Sequence, residues 1–269
     1  IFPVSGPTDG GSIVSVWGTG PWGNTHTDGD ISEMHEYRCR IGTGPHALTF
    51  PAVLDTVDDH ALRCVTLEFN ATDAERNGPF SDLRRFPLPF SVSLNAQQFT
   101  TESAANWTYQ RPPKKPLSLP STGPLHGNTT ITVYGSGDEL MGGSWSQCKL
   151  NLRDGPAVDE EGLPPAAGTW GGTYYLLNAT YDGHARGLVC FTGAMPVGEY
   201  AVEVTLNGQQ FTNSSHDGGA RRFGVYEQPT LRTSFPRSGP TDSKVWLRLN
   251  GTGLAPGSDY VCRFEHWAF

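Results

Sequence analysis

Phe2-Pro3-Val4-Ser5-Gly6-Pro7, followed by an alternating run ending in Val16-Trp17-Gly18-Thr19-Gly20, returns twice in this 269-residue chain. The second copy is Leu119-Pro120-Ser121-Thr122-Gly123-Pro124, closing on Val133-Tyr134-Gly135-Ser136-Gly137. The third is Phe235-Pro236-Arg237-Ser238-Gly239-Pro240, closing on Leu249-Asn250-Gly251-Thr252-Gly253. The offsets are 117 and 116 residues. A period this long gives one autonomous domain per copy, because a solenoid unit that cannot bury its own core is far shorter.

The copies also agree downstream. Tyr37-Arg38-Cys39-Arg40 corresponds to Tyr260-Val261-Cys262-Arg263 and, more loosely, to Gln147-Cys148-Lys149. A second cysteine follows in Arg63-Cys64-Val65 and in Val189-Cys190-Phe191. Val92-Ser93-Leu94-Asn95-Ala96-Gln97-Gln98-Phe99-Thr100 matches Val204-Thr205-Leu206-Asn207-Gly208-Gln209-Gln210-Phe211-Thr212, and both read as strands. Each full repeat closes on an aromatic strand, Trp107-Thr108-Tyr109 and Phe223-Gly224-Val225-Tyr226.

Composition agrees with an all-β chain. The 33 Gly and 21 Pro far exceed average usage of about 12%, and both residues punctuate turns and interrupt helices. The apolar runs are short and alternate, as half-buried strands do. In the opening strands Val14 and Val16 align with Ile131 and Val133 and with Leu247 and Leu249, which should face a core. Trp17, Tyr134 and Asn250 then point outward, the two aromatics being interface candidates. The glycines after each strand should adopt positive φ or allow a close backbone approach.

These motifs resemble the IPT/TIG family, the immunoglobulin-like domains of plexins, related receptors and some transcription factors. The resemblance spans the whole chain and rests on the P-x-S-G-P opening (Thr122 replaces the Ser in the second repeat), the V-x-G-x-G strand end and the L-N-G-Q-Q-F element. It implies tandem β-sandwich modules, residues 1–111, 112–228 and 229–269. The last, about 40 residues with at most three strands, would be completed by further chain or by a neighbouring subunit. Net charge is −8, and Lys114-Lys115 and Arg221-Arg222 are isolated basic pairs. Nucleic acid is therefore not the expected partner, and the resemblance points to the cell-surface branch.

Six Asn-X-Ser/Thr acceptors occur, at Asn70, Asn106, Asn128, Asn178, Asn213 and Asn250. With 11 Asn, and Ser plus Thr at 45 of 269 residues, composition alone gives about two. The excess argues for the secretory route and for covalent N-linked glycans. In that setting the repeat plan pairs Cys39 with Cys64 and Cys148 with Cys190, each bridge contributing roughly 3–4 kcal/mol. Cys262 is left over. A metal site is the alternative for these cysteines, but no C-x-x-C pair supports it.

No catalytic motif is present, whether G-x-S-x-G, H-E-x-x-H or a phosphate-binding loop, so the chain is not expected to be an enzyme. Gly18-Thr19-Gly20 lacks the Lys and helix that cradle phosphate. No bound cofactor or metal is expected. The weak metal candidate is His26, Asp28 and Asp30, with Glu33 and His35 nearby. Asp58-Asp59 and Asp159-Glu160-Glu161 read as solvated loop charge. No apolar run reaches the ~20 residues of a membrane span. A chain starting at Ile1 without Met reads as a processed protein or a piece of a longer one, and the short third repeat favours a piece.

The proline-rich joints Arg111-Pro112-Pro113-Lys114-Lys115-Pro116 and Tyr226-Glu227-Gln228-Pro229 favour a semi-rigid rod. The expected function is a building block of a cell-surface or released filament, assembling head to tail through protein–protein contacts. The alternative is an adhesion or receptor ectodomain of plexin-like type.

Overall fold

A computed structural model describes residues 1–18, 37–44, 47–55, 61–69, 87–101, 104–113, 117–135, 140–152, 174–212, 222–255 and 257–264. Every regular element among them is a strand, so the chain is all-β and forms tandem immunoglobulin-like sandwiches. It divides into two compact units. Unit 1 holds Ile1–Lys114, Gly135–Gln147 and Val204–Thr212; unit 2 holds Lys115–Tyr134, Cys148–Glu203 and Asn213–Phe269.

Unit 1 is built on β1 (Ser5–Pro7), β2 (Ile13–Trp17), β3 (Arg38–Ile41), β4 (Leu48–Leu54), β5 (Ala61–Val65), β6 (Leu88–Ser93) and β7 (Asn106–Gln110). Their order in the ladder is β1-β7-β6-β3-β4-β5-β2. β4 carries the ladder from one layer to the other: Leu48–Pro51 pairs with β3, and Ala52–Leu54 pairs with β5. The switch falls at Pro51, which has no N–H to give to a continued ladder. Alternation in β2 puts Val14 and Val16 into the core with Ile41, Phe50, Leu62, Phe90 and Trp107, while Trp17 is exposed.

Unit 2 contains β8 (Leu117–Leu119), β9 (Thr122–Pro124), β10 (Thr130–Tyr134), β11 (Gln147–Leu152), β12 (Tyr174–Asp182), β13 (Gly187–Phe191), β14 (Gly198–Thr205) and β15 (Arg222–Tyr226). The order is β8-β10-β13-β12-β11-β14-β15-β9. Ile131 and Val133 are buried, and Tyr134 is half-buried. The opening motif supplies both edges of the ladder. β8 pairs antiparallel with β10, the chain turns at the cis Leu119-Pro120 bond, and β9 then pairs parallel with β15.

The first repeat opens in the same way. Phe2 bridges Ser15, the Phe2-Pro3 bond is cis, and β1 runs parallel to β7. The opening glycine is required by what it faces. A Cβ on Gly6 would lie 2.7 Å from Trp107 Cζ2, and one on Gly123 would lie 2.7 Å from Phe223 Cζ. Real Cβ atoms do not approach that closely, so the small residue lets the opening strand lie over the core aromatic.

The third repeat supplies β16 (Thr230–Phe235) and β17 (Arg248–Thr252), paired antiparallel, with a cis Phe235-Pro236 bond after β16. Leu247 and Leu249 are half-buried and Asn250 is exposed. Residues 261–263 form no strand, because strands at that position in the earlier repeats are held by two neighbours, as β3 is held by β4 and β6.

One element differs from its sequence reading. The two L-N-x-Q-Q-F segments are loops, since β6 stops at Ser93 and β14 at Thr205. In both, the asparagine side chain accepts backbone N–H groups that a strand would give to its neighbour. Asn95 Oδ1 takes the N–H of Gln97 and of Gln98, each at 3.1 Å. Asn207 Oδ1 takes those of Gln209 and Gln210 at 3.1 and 3.2 Å. Such side-chain turns compete directly with sheet ladders.

Candidate functional site

Cys39 and Cys64 are bonded, with Cα atoms 6.3 Å apart, and join β3 to β5 across β4. Cys148 and Cys190 are bonded at 6.5 Å and join β11 to β13. All four are buried, whereas Cys262 is free and exposed. Among the acceptor asparagines, Asn106, Asn128, Asn178 and Asn250 are exposed. Asn70 and Asn213 lie outside the described residues, as do His26, Asp28, Asp30, Glu33 and His35, the acidic pairs Asp58-Asp59 and Glu160-Glu161 with Asp159, and Lys114-Lys115 with Arg221. Among the described residues no group of three His, Cys, Asp or Glu side chains could hold a metal ion. No helix among them is long and apolar enough to cross a membrane.

What the described residues do bring together is a pair of polar fastenings, each linking one sequence repeat to the next inside a single compact unit. The first is a hydroxyl clasp. In unit 1, Ser5 Oγ donates to Ser144 Oγ at 2.8 Å and accepts the Ser144 N–H at 3.2 Å. In unit 2, Thr122 Oγ1 donates to Ser258 Oγ at 2.9 Å and accepts the Ser258 N–H at 2.9 Å. Ser5 and Thr122 hold the same place in the opening motif. Ser144 and Ser258 each stand four residues before the first cysteine of their repeat. The same three kinds of atom, two hydroxyl oxygens and one backbone nitrogen, therefore meet in the same pattern at two successive steps of the sequence.

Around the unit 1 clasp, the Phe2 ring lies 5.5 Å from that of Trp145 at a tilt of 47°. Gln110 Nε2 donates to the Gly142 carbonyl.

The second fastening is the Asn207 loop, in unit 1. Asn207 is 2% exposed and works as a hub. Its Nδ2 donates to Gln210 Oε1 at 2.6 Å and to Ser12 Oγ at 3.0 Å. Ser12 Oγ in turn donates to Gln210 Oε1 at 3.1 Å. Gln209 acts as a mimic of a neighbouring strand: its Oε1 accepts the Ile13 N–H at 2.8 Å and its Nε2 donates to the Ile13 carbonyl at 2.8 Å. Gln210 Nε2 reaches the Gly11 carbonyl at 2.9 Å. Three of these bonds go to backbone atoms of residues 11–13, so they recognise an extended strand start and not particular side chains. Leu206 is only 5% exposed, and its carbonyl accepts the Trp145 N–H at 3.0 Å.

Both fastenings consist of hydroxyls and amides, which do not titrate in the ordinary range. The groups that burial perturbs lie elsewhere. Burial raises the Tyr109 phenol, whose OH donates to the Leu67 carbonyl at 3.1 Å. Burial, and secondarily Tyr175, pushes Tyr200 up to about 12; its OH donates to the Pro196 carbonyl at 2.9 Å.

Sequence reasoning marked L-N-x-Q-Q-F as a repeat signature and missed its role. The signal was present: three amide side chains recur at fixed spacing, where a turn alone asks for one. The serine four residues before each cysteine was also legible.

No family model matches the chain, and no curated protein matches it. Among solved structures it is similar to a plexin A4 full extracellular region, domains 1 to 10, at 15% identity and a TM-score of 0.45, covering 86% of this chain and 16% of that one. A second plexin A4 extracellular structure, domains 1 to 8, matches at 14% identity and a TM-score of 0.30, covering 96% and 28%. A marsupial T cell receptor matches at 11% identity and 0.24, covering 83% and 75%. The chain spans well under a third of either plexin structure.

Proposed function

We propose that this chain is a non-catalytic extracellular glycoprotein whose immunoglobulin-like modules, 1–111, 112–228 and 229–269, are fastened in series as a structural building block of a cell-surface or released filament. One observation carries the reading: the hydroxyl clasp of Ser5 with Ser144 is repeated, atom for atom, by Thr122 with Ser258. A contact that recurs with the sequence period extends to any number of modules, and heterologous contacts that do not close into a ring make open filaments. Two buried disulfides and the four exposed acceptor asparagines support an oxidising, secretory setting.

Electron micrographs of the native protein test this reading. Fibres with an axial repeat of one module are expected, and enzymatic removal of N-glycans should lower the mass at several sites. Dispersed particles on a protein with a membrane anchor would instead favour a receptor ectodomain. A chain carrying no glycan would remove the secretory argument.

A further inference from the structure

The second repeat builds the strand start of the first over again, bond for bond. Gly11 N–H donates to the Thr66 carbonyl at 2.8 Å, and Thr66 N–H donates to the Ser12 carbonyl at 2.9 Å. Asn128 N–H donates to the Thr192 carbonyl at 2.9 Å, and Thr192 N–H donates to the Thr129 carbonyl at 3.0 Å. A threonine hydroxyl closes each turn: Thr66 Oγ1 accepts the Ser12 N–H at 3.0 Å, and Thr192 Oγ1 accepts the Thr129 N–H at 3.1 Å. Ile13 lies opposite Val65 in its ladder as Thr130 lies opposite Phe191. Gly11-Ser12-Ile13 and Asn128-Thr129-Thr130 are therefore the same place in two modules.

The hydroxyl that the Asn207 loop uses in unit 1 recurs as well. A Cβ on Gly6 would meet Ser12 Oγ, and one on Gly123 would meet Thr129 Oγ1. The telling difference falls on the residue before it. Gly11 has a φ of 77° and Asn128 one of 59°, both left-handed. In that conformation a Cβ crowds the residue's own carbonyl oxygen. The Gly11 carbonyl is the one that Gln210 Nε2 takes at 2.9 Å, and glycine leaves it bare. At Asn128 a side chain leaves the backbone beside the corresponding oxygen. A small side chain there is no obstacle, since a Cβ on Gly11 would have nothing within 4 Å while the loop is in place. A bulky group carried by that side chain is one.

Asn128-Thr129-Thr130 is an N-glycosylation acceptor, and Asn128 and Thr130 are both exposed. We propose that an N-linked glycan on Asn128 closes the second strand start to an L-N-x-Q-Q-F loop, at the place where Gly11 leaves the first one open. The sugar donor is a lipid-diphosphate-linked oligosaccharide. Asn128 Nδ2 bonds to the anomeric carbon of the first sugar as that carbon's bond to the phosphate oxygen breaks; the lipid diphosphate leaves and the amide gives up one proton. A branched oligosaccharide rooted there excludes the glutamine side chains from the Asn128 carbonyl. Successive modules are thereby marked differently: one strand start takes an amide loop, the next takes a sugar. This inference rests on the glycoprotein reading and gives one of its acceptors a task.

Glycopeptide mapping of the native protein is the first arm of the test. Asn128 should be occupied in most copies. Asn128 bare while Asn106, Asn178 or Asn250 carries sugar overturns the inference and leaves the glycoprotein reading standing; a chain without any glycan overturns both. The second arm moves the sugar to the first strand start. Gly11→Asn with Ile13→Thr creates an acceptor there, and Gly11→Asn with Ile13→Val gives nearly the same shape without one. The reporter is the amide at position 13, which donates to Gln209 Oε1 at 2.8 Å. Hydrogen exchange there should run about tenfold faster in the sugared variant than in its bare twin, as expected for loss of that bond. Equal exchange in a variant whose mass shows the sugar overturns the inference, because the loop would then sit beside a glycan undisturbed.

Discussion

The loops at Leu94–Thr100 and Leu206–Thr212 share a motif and an internal hydrogen-bond frame, yet one is solvated and the other is sunk into unit 1. The difference lies in what each faces. Asn207 has the Ser12 hydroxyl within reach and Gln209 has the Ile13 backbone, while no described residue stands in those places for Asn95 and Gln97. Each frame forms from the loop's own side chains, so the turn does not depend on what the glutamines reach. The comparison separates the part of the motif that makes a turn, the asparagine and the threonine, from the part that reaches outward, the two glutamines and the leucine.

The largest contrast is expected at the leucines. Leu206→Ala should destabilise unit 1 by about 3 kcal/mol, the range for a truncated core leucine, while Leu94→Ala should stay within about 0.5 kcal/mol, as exposed sites do. Urea denaturation of the two variants measures both, and equal losses would erase the distinction between the loops.

A smaller effect sharpens the comparison at the aromatic that faces each opening glycine. Trp107 is fully buried and its indole N–H has no hydrogen-bond partner among the described residues, a penalty of about 1–3 kcal/mol. The second repeat holds Phe223 there, with no donor to satisfy. Trp107→Phe should therefore cost less than about 1 kcal/mol despite the lost volume, because removing the unpaired donor offsets it. The reverse change, Phe223→Trp, should cost about 1–3 kcal/mol through overpacking against Gly123. Chemical denaturation distinguishes the two.

The least effect under ordinary conditions concerns pH. Tyr109 and Tyr200 have folded-state pKa values above their unfolded ones, so folding favours the neutral phenols. Their contribution is complete below the unfolded value near 10 and is lost as pH rises through the folded value. Tyrosinate absorbance should show unfolding on the alkaline side, near pH 12 for Tyr200, and Tyr200→Phe should delay it. The fastenings themselves should be indifferent to pH below that limit.

The sheet architecture was legible because its causes are local. Alternation placed Val14, Val16, Ile131 and Val133 in the core, and the repeated opening motif marked each module's first strand. Trp17 faces out, as its parity requires. The loops were misread because Leu-Asn-Gly-Gln-Gln-Phe continues a strand's spacing, and only the asparagine's capture of backbone N–H groups ends the ladder there. The layer switch at Pro51 escaped notice for a different reason. A proline within an apolar run signals an interruption, but which strand the chain joins next depends on partners distant in sequence. The clasp was hidden likewise: Ser144 and Ser258 reveal themselves only when counted back from their cysteines.

One further property follows from where the sulfur bridges sit. Cys39 and Cys64 are 25 residues apart and Cys148 and Cys190 are 42 apart. Tension applied along such a strand of modules travels through each bridge and bypasses the chain between its cysteines. A module torn open would keep back about 85 Å of slack in the first repeat and about 145 Å in the second, at ~3.4 Å per extended residue. A chain of such modules pulled from its ends would lengthen in short steps and lose that restraint once its disulfides were reduced.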